Sequence, residues 1–94
     1  MDQLVMVSAT TIHAGIPYDP ACIVKEGDHP FIRHDSYMYY RQARVTPVDH
    51  TMEMVASGVW TPKDPFSTAL MHRVMHGAFT SRQMNREIRN ILEV

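Results

Sequence analysis

The chain has 94 residues, enough for one small domain and too few for two hydrophobic cores. Nine basic and ten acidic side chains give a net charge of -1, which excludes a strongly basic nucleic-acid-coating protein and an acidic DNA mimic. The single cysteine, Cys22, excludes an internal disulfide and a zinc site built on several thiolates. No apolar run approaches the roughly 20 residues of a membrane span. We therefore expect a soluble, cytoplasmic protein without a cofactor.

The first half of the chain, residues 1–47, predicts a β-module. Residues 3–12 (QLVMVSATTI) are rich in β-branched side chains and lack Gly and Pro, which predicts a strand. A loop with two prolines precedes a short strand over 21–24. The clearest strand signal is 36–46 (SYMYYRQARVT). Its alternation places Tyr37, Tyr39, Arg41, Ala43 and Val45 on one face, and Met38, Tyr40, Gln42 and Arg44 on the other.

The second half, residues 48–94, is predicted to be mainly helical. Asp49 is a candidate cap for a short helical turn. Asp64 followed by Pro65 predicts the start of a helix that runs to His76 and stops at Gly77.

A second helix is predicted near the C-terminus. Thr80 and Gln83 form a capping box at its start. Its apolar stripe consists of Met84, Ile88, Ile91 and Leu92.

The densest group of reactive side chains is the loop 27–36 (GDHPFIRHDS). His29 or His34 could act as a general base, with a neighbouring carboxylate selecting its tautomer. Alternatively, Asp28 and Asp35 form local turn hydrogen bonds, and the histidines are solvated or pack on Phe31. The sequence leaves both interpretations open.

Aromatic and basic side chains form a second group. They could build a groove that stacks bases and pairs with phosphates, or they could be core tyrosines and solvated arginines. The group consists of Tyr37, Tyr39, Tyr40, Arg41, Arg44, Arg73, Arg82, Arg86 and Arg89.

His72 and His76 are four residues apart, so a helix would place them on one face. A zinc site needs further ligands, and the general-base Glu of the HExxH pattern is missing. We expect no metal site here.

The order of these segments resembles the PemK/MazF-type toxins, small SH3-like barrels that dimerise and cut single-stranded RNA. The segment VSATT (7–11) falls where those toxins have a strand ending in Pro-Leu-Thr-Ser, and YRQARV (40–45) falls where they have an Asp-Gln-Ile-Arg-type segment. The stretch GDHPFIRHDSYMYYRQARV looks closer still to small bacterial and phage proteins related to these toxins. The likeness spans residues 4–77. The toxins open with two further strands whose connecting loop carries the catalytic arginine, and this chain has no counterpart of them.

The resemblance implies an α+β fold in a single domain (1–94): a small bent antiparallel sheet or partial SH3-like barrel with two C-terminal helices. The missing strands leave an open edge, so we expect a homodimer. The implied function is an RNA-binding, endoribonuclease-like module of a toxin–antitoxin or phage system, with Thr10, Thr11 and His34 near the scissile phosphate. The polar loop and the long strand add the expected binding residues His29, Phe31, Arg33, Asp35, Tyr39, Arg41 and Arg44.

An alternative function belongs to another class. The protein could be a non-enzymatic phage or mobile-element inhibitor that blocks a host defence complex, such as a CRISPR effector, by protein–protein contact. The near-neutral charge, the eight methionines and the missing arginine favour this alternative. The expected partner is therefore RNA or a host protein complex.

Overall fold

The computed structural model describes residues 3–93. Within this range every strand lies before residue 48 and every α-helix after residue 47. The strands are β1 (Gln3–Met6), β2 (Ala9–Thr11), β3 (Ile23–Val24), β4 (Ser36–Met38) and β5 (Arg44–Pro47). The helices are α1 (Val48–Ala56), α2 (Thr68–Thr80) and α3 (Arg86–Leu92), and a 3-10 turn covers Tyr40–Gln42.

The strands form two antiparallel sheets, one made of β1 and β5 and the other with β4 between β2 and β3. The predicted α+β class is therefore confirmed. The strands form two small sheets, and residues 3–93 contain no closed barrel.

Both long strands predicted from the sequence are divided between the two sheets. The segment 3–12 breaks at residues 7–8, between β1 and β2, and the segment 36–46 breaks at the 3-10 turn, between β4 and β5. The two breaks lie side by side, because the Tyr39 N–H donates to the Ser8 carbonyl at 2.8 Å. Both segments therefore bend at the same corner of the molecule, where each passes from one sheet to the other.

Tyr40 fixes this corner. Its side chain is fully buried, and its hydroxyl donates to the Val74 carbonyl of α2 at 2.7 Å. Burial raises the pKa of this phenol far above its ordinary value. The strand must bend to insert Tyr40 into the core, and the anchoring group lies 34 residues further along the chain.

One core cluster joins β3 and β4 to α2 and α3. Its buried members are Cys22, Val24, Met38, Tyr40, Leu70, Val74, Ala78, Met84 and Ile88. Of the predicted C-terminal stripe, Met84 and Ile88 are buried, and Ile91 and Leu92 are half-buried. The predicted apolar face of α3 is therefore the face that packs.

The predicted helix starts are wrong at both C-terminal helices. α2 begins after Ser67, whose hydroxyl accepts from the Leu70 N–H at 3.1 Å, and not at Asp64. α3 begins after Asn85, whose side-chain oxygen accepts from the Glu87 N–H at 2.7 Å, and not after a capping box at Thr80. Several residues in each segment could serve as caps, and tertiary contacts select among them.

Gly77 does not end α2, which continues to Thr80. A Cβ at position 77 would clash with the Tyr40 hydroxyl and lie 2.8 Å from the Cys22 Cβ. Gly77 therefore permits α2 to approach the sheet closely, and its role is packing.

No helix within residues 3–93 combines the length and the apolar character needed to cross a membrane.

Candidate functional site

The polar loop between β3 and β4 is folded by its own carboxylates. The Asp28 carboxylate accepts from the Lys25 N–H at 2.9 Å, and the Asp35 carboxylate accepts from the Glu26 N–H at 3.1 Å. The hydrogen bond from the Lys25 N–H is the main cause that lowers the pKa of Asp28. The Arg73 guanidinium, whose Nη1 lies 3.3 Å from the Asp28 carboxylate, lowers it further. These bonds correspond to the alternative in which both aspartates make turn contacts.

His29 is buried within this loop. Its Nδ1 accepts from the Phe31 N–H at 3.1 Å, so its Nε2 carries the proton and donates to the Asp64 carbonyl at 2.6 Å. Its ring also lies 5.0 Å from that of Phe66. With both nitrogens engaged, His29 fastens the segment before α2 to the loop and presents no free nitrogen to a ligand.

Three other predicted binding residues are exposed and lie apart from the cavities described below. Phe31 is exposed beneath the Lys63 ammonium, which lies 4.6 Å from the ring centroid. Arg33 and Arg44 are exposed, on the loop and on β5 respectively. Neither arginine lines the cavities that contain the other predicted residues.

An open cleft of about 950 Å³ lies where β2 ends beside the start of β4. It brings together Thr11, His34 and Asp35, as the predicted site requires, and adds His13. We call it the histidine cleft; it is lined by Thr11, Ile12, His13, Ala14, Tyr18, Ile23, Glu26, His34 and Asp35. The Ile12 N–H donates to the Asp35 carbonyl at 2.9 Å, which joins its two walls.

Thr10 does not line the histidine cleft. It pairs directly with Tyr37 across β2 and β4, so the two side chains share a face of the sheet. Successive strand residues face opposite sides, and Thr10 and Thr11 therefore do not act at one point. Of the two threonines, the cleft contains only Thr11.

Tyr18, Tyr37 and Tyr39 form an aromatic row on the outer face of β4, which we call the tyrosine row. The Tyr18 and Tyr37 ring centroids are 5.6 Å apart, and those of Tyr37 and Tyr39 are 5.5 Å apart. All three are at least partly exposed, whereas Tyr40 is fully buried. The alternation predicted for this strand holds from Ser36 to Tyr40.

A second cavity, of about 210 Å³, lies along the tyrosine row. Besides the three tyrosines its walls are formed by Pro17, Asp19, Arg41 and Gln83. Tyr18 lines both this cavity and the histidine cleft, so the two cavities adjoin at this residue, and we refer to them together as one surface. The fold thus unites Thr11, His34, Asp35, Tyr39 and Arg41 of the predicted residues along this surface.

Sequence reasoning missed Tyr18, Asp19 and His13 as members of this surface. Tyr18 and Asp19 lie in a Pro-rich loop, where the sequence pattern predicts only a connection. His13 lies two residues after β2, which ends in hydroxyl residues, and loops that follow strands often collect functional groups.

His72 and His76 are exposed on α2 and line a separate cavity beside Cys22 and Arg73. Burial raises the pKa of the Cys22 thiol. Among residues 3–93, no group of three or more His, Cys, Asp and Glu side chains is arranged to hold a metal ion.

Comparisons with known proteins identify no relative of this chain: no family model matches it, and neither does any curated protein or solved structure at a significant level.

Proposed function

We propose that this protein binds single-stranded RNA along the surface formed by the tyrosine row and the histidine cleft. The observation that carries the proposal is the tyrosine row, in which three neighbouring rings lie on the outer face of the sheet instead of in the core. Each base stacked on such a ring contributes about 1–3 kcal/mol to binding. Only unpaired bases can leave the helical stack and lie on such rings, so the row suits a single strand and not a duplex.

The charge of this surface favours stacking over phosphate neutralisation. Among the residues that line the two cavities, Arg41 is the one arginine or lysine, and Asp19, Glu26 and Asp35 are acidic. For a single strand, each phosphate that the protein neutralises lowers the logarithm of the binding constant by about 0.7 for every tenfold increase in salt concentration. We therefore expect a shallow salt dependence that comes from Arg41.

The histidine cleft offers groups that could cleave the bound strand. One imidazole can accept the proton of a ribose 2′-hydroxyl, which attacks the adjacent phosphorus and expels the 5′-oxygen, while a second imidazole protonates that oxygen. His13 and His34 line the same cleft, and the Thr11 hydroxyl can donate to a phosphate oxygen. Endoribonuclease activity is therefore part of the proposal, in the toxin-like or phage-related setting that the resemblance implies.

Fluorescence anisotropy with a labelled single-stranded RNA tests the binding. We expect Tyr18→Ala and Tyr39→Ala each to weaken binding by at least about fivefold, from the loss of one stacked base. Phe79→Ala is a matched control, because Phe79 is an exposed aromatic residue that lines neither cavity. Arg41→Ala should flatten the salt dependence by about 0.7 logarithmic units per logarithmic unit of salt. Equal losses for the tyrosine and Phe79 variants would refute the proposal.

Gel analysis of the same RNA tests cleavage. We expect products with a 2′,3′-cyclic end in the presence of a metal chelator, and their loss in His34→Ala and His13→Ala. Binding without cleavage would leave an RNA-binding module and refute the nuclease assignment alone.

The alternative function as an inhibitor of a host protein complex is favoured by α1. This helix of nine residues contains no buried side chain and exposes Met52 and Val55, with Val59 exposed just beyond its end. Exposed apolar patches of this kind mark protein–protein contacts. A stoichiometric protein partner that survives nuclease treatment and is lost in Met52→Ser would support this function; capture of RNA alone would contradict it.

A further inference from the structure

Asp19 is the unusual member of the second cavity. Its side chain is 5% exposed, yet it forms part of the cavity wall between Tyr18 and Gln83. One carboxylate oxygen accepts from the Ala21 N–H at 3.0 Å, and the other accepts from the buried Ser81 hydroxyl. A carboxylate has about four acceptor positions, so these two bonds leave acceptor capacity on a side chain that lines the cavity.

The surroundings hold this carboxylate firmly in place. The Ser81 hydroxyl that donates to Asp19 also accepts from the Gln83 N–H at 3.0 Å, and Ser81 lies at the end of α2. Asp19, Ser81 and Gln83 therefore form a connected polar cluster between the Pro17 loop and the start of the α3 region. The Gln83 side-chain amide makes no hydrogen bond within residues 3–93 and lines the cavity beside Asp19.

We propose that this cavity holds one nucleobase of the bound RNA and selects a base that carries an exocyclic amino group. This inference rests on the proposed function. The cavity volume of about 210 Å³ exceeds the roughly 150 Å³ that accommodates a benzene ring, so it has room for one base. The tyrosine rings stack on the base, and the Asp19 carboxylate accepts from its amino group.

Cytosine and uracil separate this recognition from stacking. The two pyrimidines have nearly the same size, but cytosine presents an amino group at C4 where uracil presents a carbonyl oxygen. A carboxylate accepts from the cytosine amino group and meets the uracil carbonyl as one acceptor facing another. Gln83 can donate to, or accept from, the neighbouring ring positions, and Arg41 lies at the cavity wall to receive the adjacent phosphate.

The experiment compares the affinity of the unaltered protein for oligocytidylate and oligouridylate of equal length by fluorescence anisotropy. We expect cytidylate to bind about tenfold more tightly, the ratio that one charge-assisted hydrogen bond provides. Asp19→Asn should reduce this ratio towards one, because the amide replaces an acceptor for the cytosine amino group with a group that can also donate to the uracil carbonyl. Asp49→Asn is the matched control, because it changes the net charge equally at an exposed position of α1.

The outcomes distinguish this inference from the proposed function. Equal affinity of the unaltered protein for both oligonucleotides overturns the selective cavity, although the proposed RNA binding would stand. A preference for cytidylate that persists in a folded Asp19→Asn variant also overturns it. If Asp19→Asn does not fold, Gln83→Ala and Tyr18→Ala replace it. Gln83→Ala should lower the ratio of cytidylate to uridylate affinity. Tyr18→Ala should weaken binding of both oligonucleotides without changing that ratio. Failure to bind either oligonucleotide overturns the proposed function and this inference together.

Discussion

Gly77→Ala is a sensitive test of the packing between α2 and the sheet. In an exposed helix this change would stabilise the protein by about 1 kcal/mol, because alanine has the higher helix propensity. Here the new Cβ would meet the Tyr40 hydroxyl and lie 2.8 Å from the Cys22 Cβ. Tyr40 is a fully buried ring with its hydroxyl bonded to the Val74 carbonyl, so it cannot move aside freely.

The expected cost is the sum of two effects less the gain in helix propensity. Overpacking a core costs about 1–3 kcal/mol, and displacing the Tyr40 hydroxyl from its acceptor costs about 1–3 kcal/mol more. After subtraction of about 1 kcal/mol for propensity, we expect a net destabilisation of about 3 kcal/mol. For a domain of this size that lowers the melting temperature by about 12–24 °C.

Thermal and urea unfolding of four proteins measures this effect: the parent, Gly77→Ala, Tyr40→Phe and the double variant. Tyr40→Phe removes the atom nearest to the new Cβ, so Gly77→Ala should cost at least about 1 kcal/mol less in that background. His76→Ala is the control, since it alters an exposed neighbour on the same helix and should change stability by no more than about 0.5 kcal/mol. A Gly77→Ala variant as stable as the parent, or additive costs in the double variant, would refute this account of Gly77.

Four further predictions address the core, the thiol, the polar loop and the assembly. Ile88→Asp should cost about 3 kcal/mol or more, because it buries a carboxylate where α3 docks; unchanged thermal unfolding would mean that α3 is not docked. Cys22 should react with iodoacetamide only under denaturing conditions, because burial raises the pKa of its thiol and leaves the residue 5% exposed; rapid labelling of the native protein would contradict this. The pKa of Asp28 is lowered in the folded protein, so its stabilising contribution is present above about pH 4 and is lost on acidification. The melting temperatures of the parent and of Asp28→Asn should therefore converge as the pH falls. A constant difference between them would count against the hydrogen bond from Lys25. We also expect a homodimer, because within residues 3–93 the outer edges of the two-stranded sheet pair with no further strand; light scattering that gives the 10.8 kDa monomer at tens of micromolar would refute it.

Features that depend on neighbouring residues could be predicted from the sequence alone. The alternation in SYMYY correctly separated Met38 and Tyr40, which face the core, from Tyr37 and Tyr39, which face outwards, because strand periodicity is local. The 3.6-residue spacing likewise identified as buried Ile88 of α3 and Met84, which lies just before that helix. The α+β class follows from these local patterns.

The tertiary structure decided where those elements stop and which side chains meet. Tyr40 interrupts a strand of high propensity because its hydroxyl is satisfied by α2, and Gly77 continues a helix because α2 must approach that same ring. His29 is a structural residue because the segment before α2 supplies an acceptor for its Nε2. Tyr18 joins Tyr37, and His13 joins His34, through loop positions that carry no periodic signal. Contacts between distant segments depend on how buried volume and hydrogen bonds are satisfied across the whole chain, and local sequence patterns do not contain that information.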